Sequence, residues 1–184
     1  MQDEEGLVKR AKQRDQEAFS QLYERYFDRI YRYIVIKIGN EKEAEDMTQQ
    51  VFLNAHQSIS SFKWQGFPFS AWLYRIAHNQ VVDYLRKKSK QPATLSDNLS
   101  ISDSDDRSTN PHLMLEHRLD IEQLRLATGQ LTEAQREVIS LRFTSDLSTA
   151  EVAKIMGKSQ GAIKALQHSA IVALRKALLV ENDE

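Results

Sequence analysis

The stretch Thr149-Ala-Glu-Val-Ala-Lys-Ile-Met-Gly-Lys-Ser-Gln-Gly-Ala-Ile-Lys-Ala-Leu-Gln-His168 decides how the chain is read. Taking Thr149 as the first position, Ala153 is fifth, Gly157 ninth, Ile163 fifteenth and Leu166 eighteenth. A small residue in fifth place lets two helices cross closely, and a glycine in ninth place can take the left-handed backbone of a tight turn. Val152, Met156, Ile163 and Leu166 fill the space between the helices. The spacing predicts a helix-turn-helix. Lys158 departs from the pattern, since an apolar residue is common in tenth place. Ser159 is expected to cap the second helix, which turns Gln160, Gly161, Lys164, Gln167 and His168 outward. Such side chains can enter a major groove or hold phosphates. A plain helical hairpin with a solvated basic face has the same spacing, so the rest of the chain must decide between the two.

Working outward, Ser148 with Glu151 and Thr132 with Gln135 are capping boxes, and Asn110-Pro111 reads as N-cap and first helical residue. Leu113, Leu115, Leu119, Leu124 and Leu126 follow, with a break near Gly129. From about 89 to 110 the chain is rich in Ser, Asp and Asn with few large apolar residues, and reads as a flexible linker. Before it, Asp15 is a plausible N-cap for a helix carrying Phe19, Leu22, Tyr23, Tyr26, Phe27, Ile30, Tyr31, Ile34 and Ile38, ended by Gly39. Asn40 with Glu43 starts a second helix, with Ala44, Met47, Val51, Phe52 and Ala55 on one face. Residues 58–69 read as a loop broken by Gly66 and Pro68. Ser70 is the expected cap of a third helix carrying Trp72, Leu73, Ile76, Ala77, Val81 and Tyr84. The fold class is all-α: two small helical domains, 1–88 and 111–184, joined by an acidic linker, 89–110.

Composition narrows the function. The chain has 184 residues, 41% of them apolar, enough for a core. With no cysteine, a disulfide framework and a thiolate zinc site are excluded. No apolar run approaches the roughly 20 residues that span a bilayer, so no membrane insertion is expected. Residues 1–6 show no secretory signal, and the expected location is cytoplasmic. His112, Glu116 and His117 match neither metalloprotease spacing, and there is no Gly-rich phosphate loop or nucleophile elbow. No enzyme activity, catalytic residue, cofactor or metal is expected. The net charge of −1 argues mildly against nucleic acid. Its distribution argues the other way. Arg75, Arg86, Lys87, Lys88 and Lys90 face one acid, Asp83, between 75 and 90. Lys154, Lys158, Lys164, Arg175 and Lys176 meet no acid between 154 and 176.

Taken together, the two halves resemble an RNA polymerase sigma factor of the extracytoplasmic-function (ECF) type. The first half resembles region 2 in Phe19-Ser-Gln-Leu-Tyr-Glu-Arg-Tyr26, Ala44-Glu-Asp-Met-Thr-Gln-Gln-Val-Phe-Leu53, and Phe69-Ser-Ala-Trp-Leu-Tyr-Arg-Ile-Ala-His-Asn79 with Asp83-Tyr-Leu-Arg86. The second half resembles region 4 in Leu131-Thr-Glu-Ala-Gln-Arg-Glu-Val-Ile-Ser-Leu-Arg-Phe143 and the helix-turn-helix. Several ordered blocks at family spacing are more specific than any one alone.

The resemblance implies a division of labour. Asp46, Gln49 and Gln50 stand on the surface that docks on the β′ clamp of core RNA polymerase, with Gln50 where an acid is common. Read without the resemblance, they are the wet side of an amphipathic helix. Phe62, Lys63 and Trp64 stand in the loop that opens the −10 element, where exposed rings can stack on bases; Phe62 and Phe67 could equally be inward-facing loop anchors. Arg75, His78, Asn79 and Arg86 form roughly one stripe on the next helix. Asn79 is the candidate base contact, Arg75 and Arg86 the phosphate contacts. Arg142, Gln160, Gly161, Lys164, Ala165, Gln167 and His168 align with the −35 reader, and region 4 also meets the β flap. Ser169 stands where relatives often carry arginine. Asp97, Asp103, Asp105 and Asp106 fit a linker threading a basic cleft, or an ordinary solvated tether. Many relatives are held by an anti-sigma factor, and the resemblance admits that partner beside core polymerase and promoter DNA. The alternative is a free-standing helix-turn-helix regulator, which leaves the Ala-Glu-Asp-Met-Thr-Gln-Gln block and the aromatic loop unexplained.

Overall fold

The computed structural model describes residues 4–63, 67–90, 129–145 and 147–181. Among them are seven α-helices and no strand. The helix expected after Pro111, the linker acids and Trp64 lie outside the described residues.

Helix α1 (Glu4–Lys12) was not foreseen from the sequence. Leu7, Val8 and Ala11 give it a narrow buried stripe. Helix α2 (Gln16–Ile38) begins where Asp15 accepts the Ala18 amide at 3.1 Å. That bond, with the Arg10 side chain, holds the Asp15 carboxyl below its ordinary value. The helix ends at Gly39, whose φ of 72° is the left-handed conformation that lets its N–H reach the Val35 carbonyl. Asn40 caps α3 (Glu41–Ser58) through the Glu43 amide at 3.0 Å. A short 3-10 turn, Ile59–Ser61, follows.

Helix α4 (Phe69–Lys88) starts two residues earlier than its sequence signals suggest. Pro68 occupies the cap position in extended backbone and no side chain caps the helix there. Ser70 therefore lies inside the first turn. A proline ring fits the start of a helix and blocks its upstream extension, so it overrides the serine signal. Phe69 enters a buried aromatic cluster with Phe62 and Trp72, with ring centroids 5.3–5.7 Å apart.

In the second half α5 (Glu133–Thr144) and α6 (Thr149–Met156) both open on complete capping boxes, Thr132 with Gln135 and Ser148 with Glu151. Gly157, at φ 63°, ends α6. Ser159 accepts the Ala162 amide at 3.2 Å and caps α7 (Gln160–Glu181). Leu131, Ile139 and Ala170 form a small core between α5 and α7. The main core does not stop at the boundary between the halves. It runs from Leu7 through Val81 and on to Val138, Leu141, Val152 and Ile163. Helix α5 packs along α2, and α6 along α4. Among the described residues no helix is long and apolar enough to cross a membrane.

Candidate nucleic-acid interface

The turn between α6 and α7 is built as its spacing predicts. Val152 and Ile163 are fully buried, Ala153 sits at the crossing, and Met156 and Leu166 pack at the rim. Burying Ile163 and Ala170 rotates the opposite side of α7 outward. Gln160, Gly161, Lys164, Ala165 and His168 are exposed there, with Gln167 half-buried beside them. Lys158 is exposed in the turn, so its departure from the pattern costs no burial of charge. Arg142 is half-buried and donates to the Leu147 carbonyl, tying α5 to the loop that leads into α6. Ser169 accepts a hydrogen bond from Gln135 Nε2 at 3.0 Å, so the cap of α5 also ties down α7.

The aromatic loop divides into buried and exposed parts. Phe62 is only 3% exposed and serves as an anchor rather than presenting its ring to solvent. Its carbonyl accepts from Lys12 Nζ at 2.7 Å, so α1 holds the loop's first turn. Lys63 is exposed. On α4, Arg75, Asn79 and Arg86 are exposed, Arg86 pairing with Asp83 at 2.9 Å. His78 shares the stripe but faces the second half of the chain. Trp72 is half-buried and belongs to the aromatic cluster.

On α3, Ala44, Thr48, Val51, Phe52 and Ala55 face the core. Asp46, Gln49 and Gln50 lie on the outer side, where Gln50 donates to Asn54 at 2.9 Å. Leu53, one turn further, is 50% exposed. It lies on the same outer side as Asp46, Gln49 and Gln50, and it was not singled out from the sequence.

Glu137 was also missed. It is 5% exposed on α5 and gathers three side chains from the first half. Lys37 Nζ lies 2.6 Å from Oε2, the Tyr33 hydroxyl donates to Oε1 at 2.6 Å, and His78 Nδ1 lies 2.9 Å from Oε1. Burial would raise the Glu137 carboxyl, but the His78 hydrogen bond and the Lys37 charge outweigh it and bring it down to about 2. Burial and the adjacent carboxylate push the Tyr33 hydroxyl well up. Nearby, the Tyr74 hydroxyl donates to the Thr144 carbonyl at 2.7 Å. Lys154 Nζ sits 3.4 Å from the centre of the Phe67 ring. Among the described residues no group of three or more His, Asp or Glu could hold a metal ion.

A helix-turn-helix with an open outer face, packed on a helical bundle that carries its own basic stripe, defines a protein of the sigma-70 class. The Sigma-70 region 2 family matches residues 22–91, and the Sigma-70 region 4 family matches 127–176. The chain is 32% identical to the ECF RNA polymerase sigma factor SigW of Bacillus subtilis, over 93% of this chain and 94% of that protein. It is 38% identical to the ECF RNA polymerase sigma factor BldN of Streptomyces coelicolor, over 94% of this chain, and spans 64% of that relative's length. The fold matches CnrH in its complex with the cytosolic domain of CnrY (TM-score 0.69, 24% identity, 97% of each chain). It also matches the sigma factor RpoE of Bartonella quintana in complex with the anti-sigma factor NepR (TM-score 0.69, 24% identity, 88% of this chain and 97% of that one). The chain belongs to the ECF family of RNA polymerase sigma factors.

Proposed function

We infer that this protein binds core RNA polymerase and directs it to promoters, leaving the chemistry of transcription to the polymerase. The observation that carries this is the exposed stripe of Asp46, Gln49, Gln50 and Leu53 on α3. A free-standing regulator leaves the Ala-Glu-Asp-Met-Thr-Gln-Gln block that builds this stripe unexplained. In this reading residues 1–88 are region 2, 89–110 the linker and 111–184 region 4. Asp46 pairs with cations of the β′ clamp, and Leu53 adds an apolar contact at the centre of the face. Lys63, Arg75, Asn79 and Arg86 meet the −10 element, with Phe62 and Lys12 shaping the loop from within. Gln160, Gly161, Lys164, Ala165, Gln167 and His168 enter the −35 groove. Region 4 also meets the β flap. An anti-sigma factor covering these surfaces fits the exposed charge, and the work is cytoplasmic, where the polymerase is.

The test is co-purification with core polymerase, comparing the native chain with Asp46→Arg. Tight binding by the native chain, weakened at least about tenfold by the reversed charge, supports the reading; a buried interfacial pair loses that much or more when one partner is inverted. If neither chain bound core enzyme while the native chain bound duplex DNA alone, the protein would be a free-standing regulator.

A further inference from the structure

The cluster around Glu137 ties the second half of the chain to one of the two DNA-reading surfaces. Glu137 comes from the second half of the chain, while Lys37, Tyr33 and His78 come from the first. His78 lies on the −10 stripe between Arg75 and Asn79. Two further contacts repeat the relation. Lys154 of α6 covers the Phe67 ring of the −10 loop. Lys63 and Arg75 line a cavity of about 230 Å³ whose opposite wall is Glu151 and Lys154 of α6. The outer face of α7 and the docking stripe of α3 stay open in the same arrangement.

The sequence of α2 points the same way. Tyr33, Ile34, Val35, Ile36 and Lys37 are all buried. A helix turn apolar on every side must be covered on every side, and α5 supplies the cover that region 2 alone lacks. The seam is therefore part of the fold of the free chain. It differs from a core in having an ion pair at its centre. Lys37 keeps only 2% of its side chain exposed and Glu137 6%. A buried pair returns little net stability, because desolvation of both charges offsets their attraction, but the loss of one partner is costly. Such a seam is specific and also openable.

We propose that Lys37, Glu137, His78 and Tyr33 form a polar latch that closes region 4 over the −10 reader of the free protein, so that region 4 and promoter DNA compete for His78 and the loop beside it. The proposal rests on the reading of α4 as the −10 surface. The closed form can still meet core polymerase through α3. Docking therefore comes first, and opening of the latch then releases the −10 reader, which guards the unattached protein against melting DNA on its own.

The test uses the full chain, whose lack of cysteine allows a dye pair on Ser20→Cys and Lys176→Cys, both at exposed positions. Energy transfer is compared for the otherwise native chain, Glu137→Gln and Tyr33→Phe. The native chain should be mainly in one high-transfer state. Glu137→Gln should shift the open-to-closed ratio by at least about tenfold, the least that losing a charge-assisted hydrogen bond implies. Tyr33→Phe, which keeps the ring, should shift it a few-fold in the same direction, and it decides the matter if Glu137→Gln fails to fold. A native chain already open, or variants with unchanged transfer, overturns the latch. Addition of core polymerase should lower transfer in the native chain. Binding of core with transfer unchanged overturns the gating role. Absence of core binding, with the variants still opening, overturns the sigma reading and with it the competition with promoter DNA, and leaves only the openable contact between the halves.

Discussion

Glu137 shows how one side chain acquires a pH dependence from its neighbours. Its carboxyl ordinarily titrates near 4.5, and in the fold it is held at about 2. A carboxyl with a depressed folded value adds stability that is fully present above its unfolded value and is lost as pH falls through the folded one. The contribution should therefore fade between pH 4.5 and about 2. Other carboxylates titrate in the same window, so the informative quantity is a difference. The melting temperature of the native chain should fall more steeply with acid than that of Glu137→Gln, and the two curves should converge at the acid end. Parallel curves would show that Glu137 is not stabilised by its partners. At neutral pH the substitution should cost up to about 3 kcal/mol, the low end for a broken buried pair, because the seam can open and let Lys37 reach water. None of this was legible from the residue alone. Glu137 sits in a helix with ordinary amphipathic spacing, where an acid reads as the wet side. The one local hint is its partner, since Lys37 is the only charge in an otherwise apolar turn of α2.

The elements were legible where their signals are local. Asp15, Asn40, Thr132, Ser148 and Ser159 all cap the helices that their positions imply, because a cap is settled by a side chain and an amide two or three residues away. Helix α1 escaped because nine residues offer too little periodicity to stand out. The glycines of the helix-turn-helix separate local conformation from function. Gly157 has φ 63° and open space where a Cβ would sit, so Gly157→Ala meets no clash, only the left-handed backbone. It should cost about 1 kcal/mol in thermal or denaturant unfolding. Gly161 lies at the exposed start of α7 with only Ser159 Oγ, 3.9 Å away, near its missing Cβ. Gly161→Ala should leave stability unchanged or raise it by up to about 1 kcal/mol, since alanine favours helix. If the start of α7 approaches DNA closely, the same substitution should weaken holoenzyme binding to a −35 element. Equal losses of stability from both substitutions would contradict the assigned backbone states.

Across the whole molecule, the sequence reading recovered two helical halves and the helix-turn-helix but not how the halves meet. The Tyr33–Glu137 hydrogen bond joins residues 104 positions apart, beyond any periodicity or cap. The apolar turn from Tyr33 to Lys37 on α2 demanded a cover without naming it. That shared surface has a thermodynamic consequence. Two domains on a tether unfold independently, whereas domains sharing a core unfold as one unit if breaking the seam costs more than either domain can lose alone. Here the main core continues from region 2 through Val138, Leu141 and Ile163, while region 4 keeps only the small group around Leu131, Ile139 and Ala170 for itself. Region 4 is thus the half that depends on the seam. Calorimetry of the native chain should give one transition, with van't Hoff and calorimetric enthalpies equal. Glu137→Gln should split it, with region 4 melting first and region 2 close to the native temperature. Two transitions in the native chain would mean that the seam is too weak to couple the halves. A single transition in Glu137→Gln, lowered as a whole, would mean that the apolar part of the seam couples them without the ion pair.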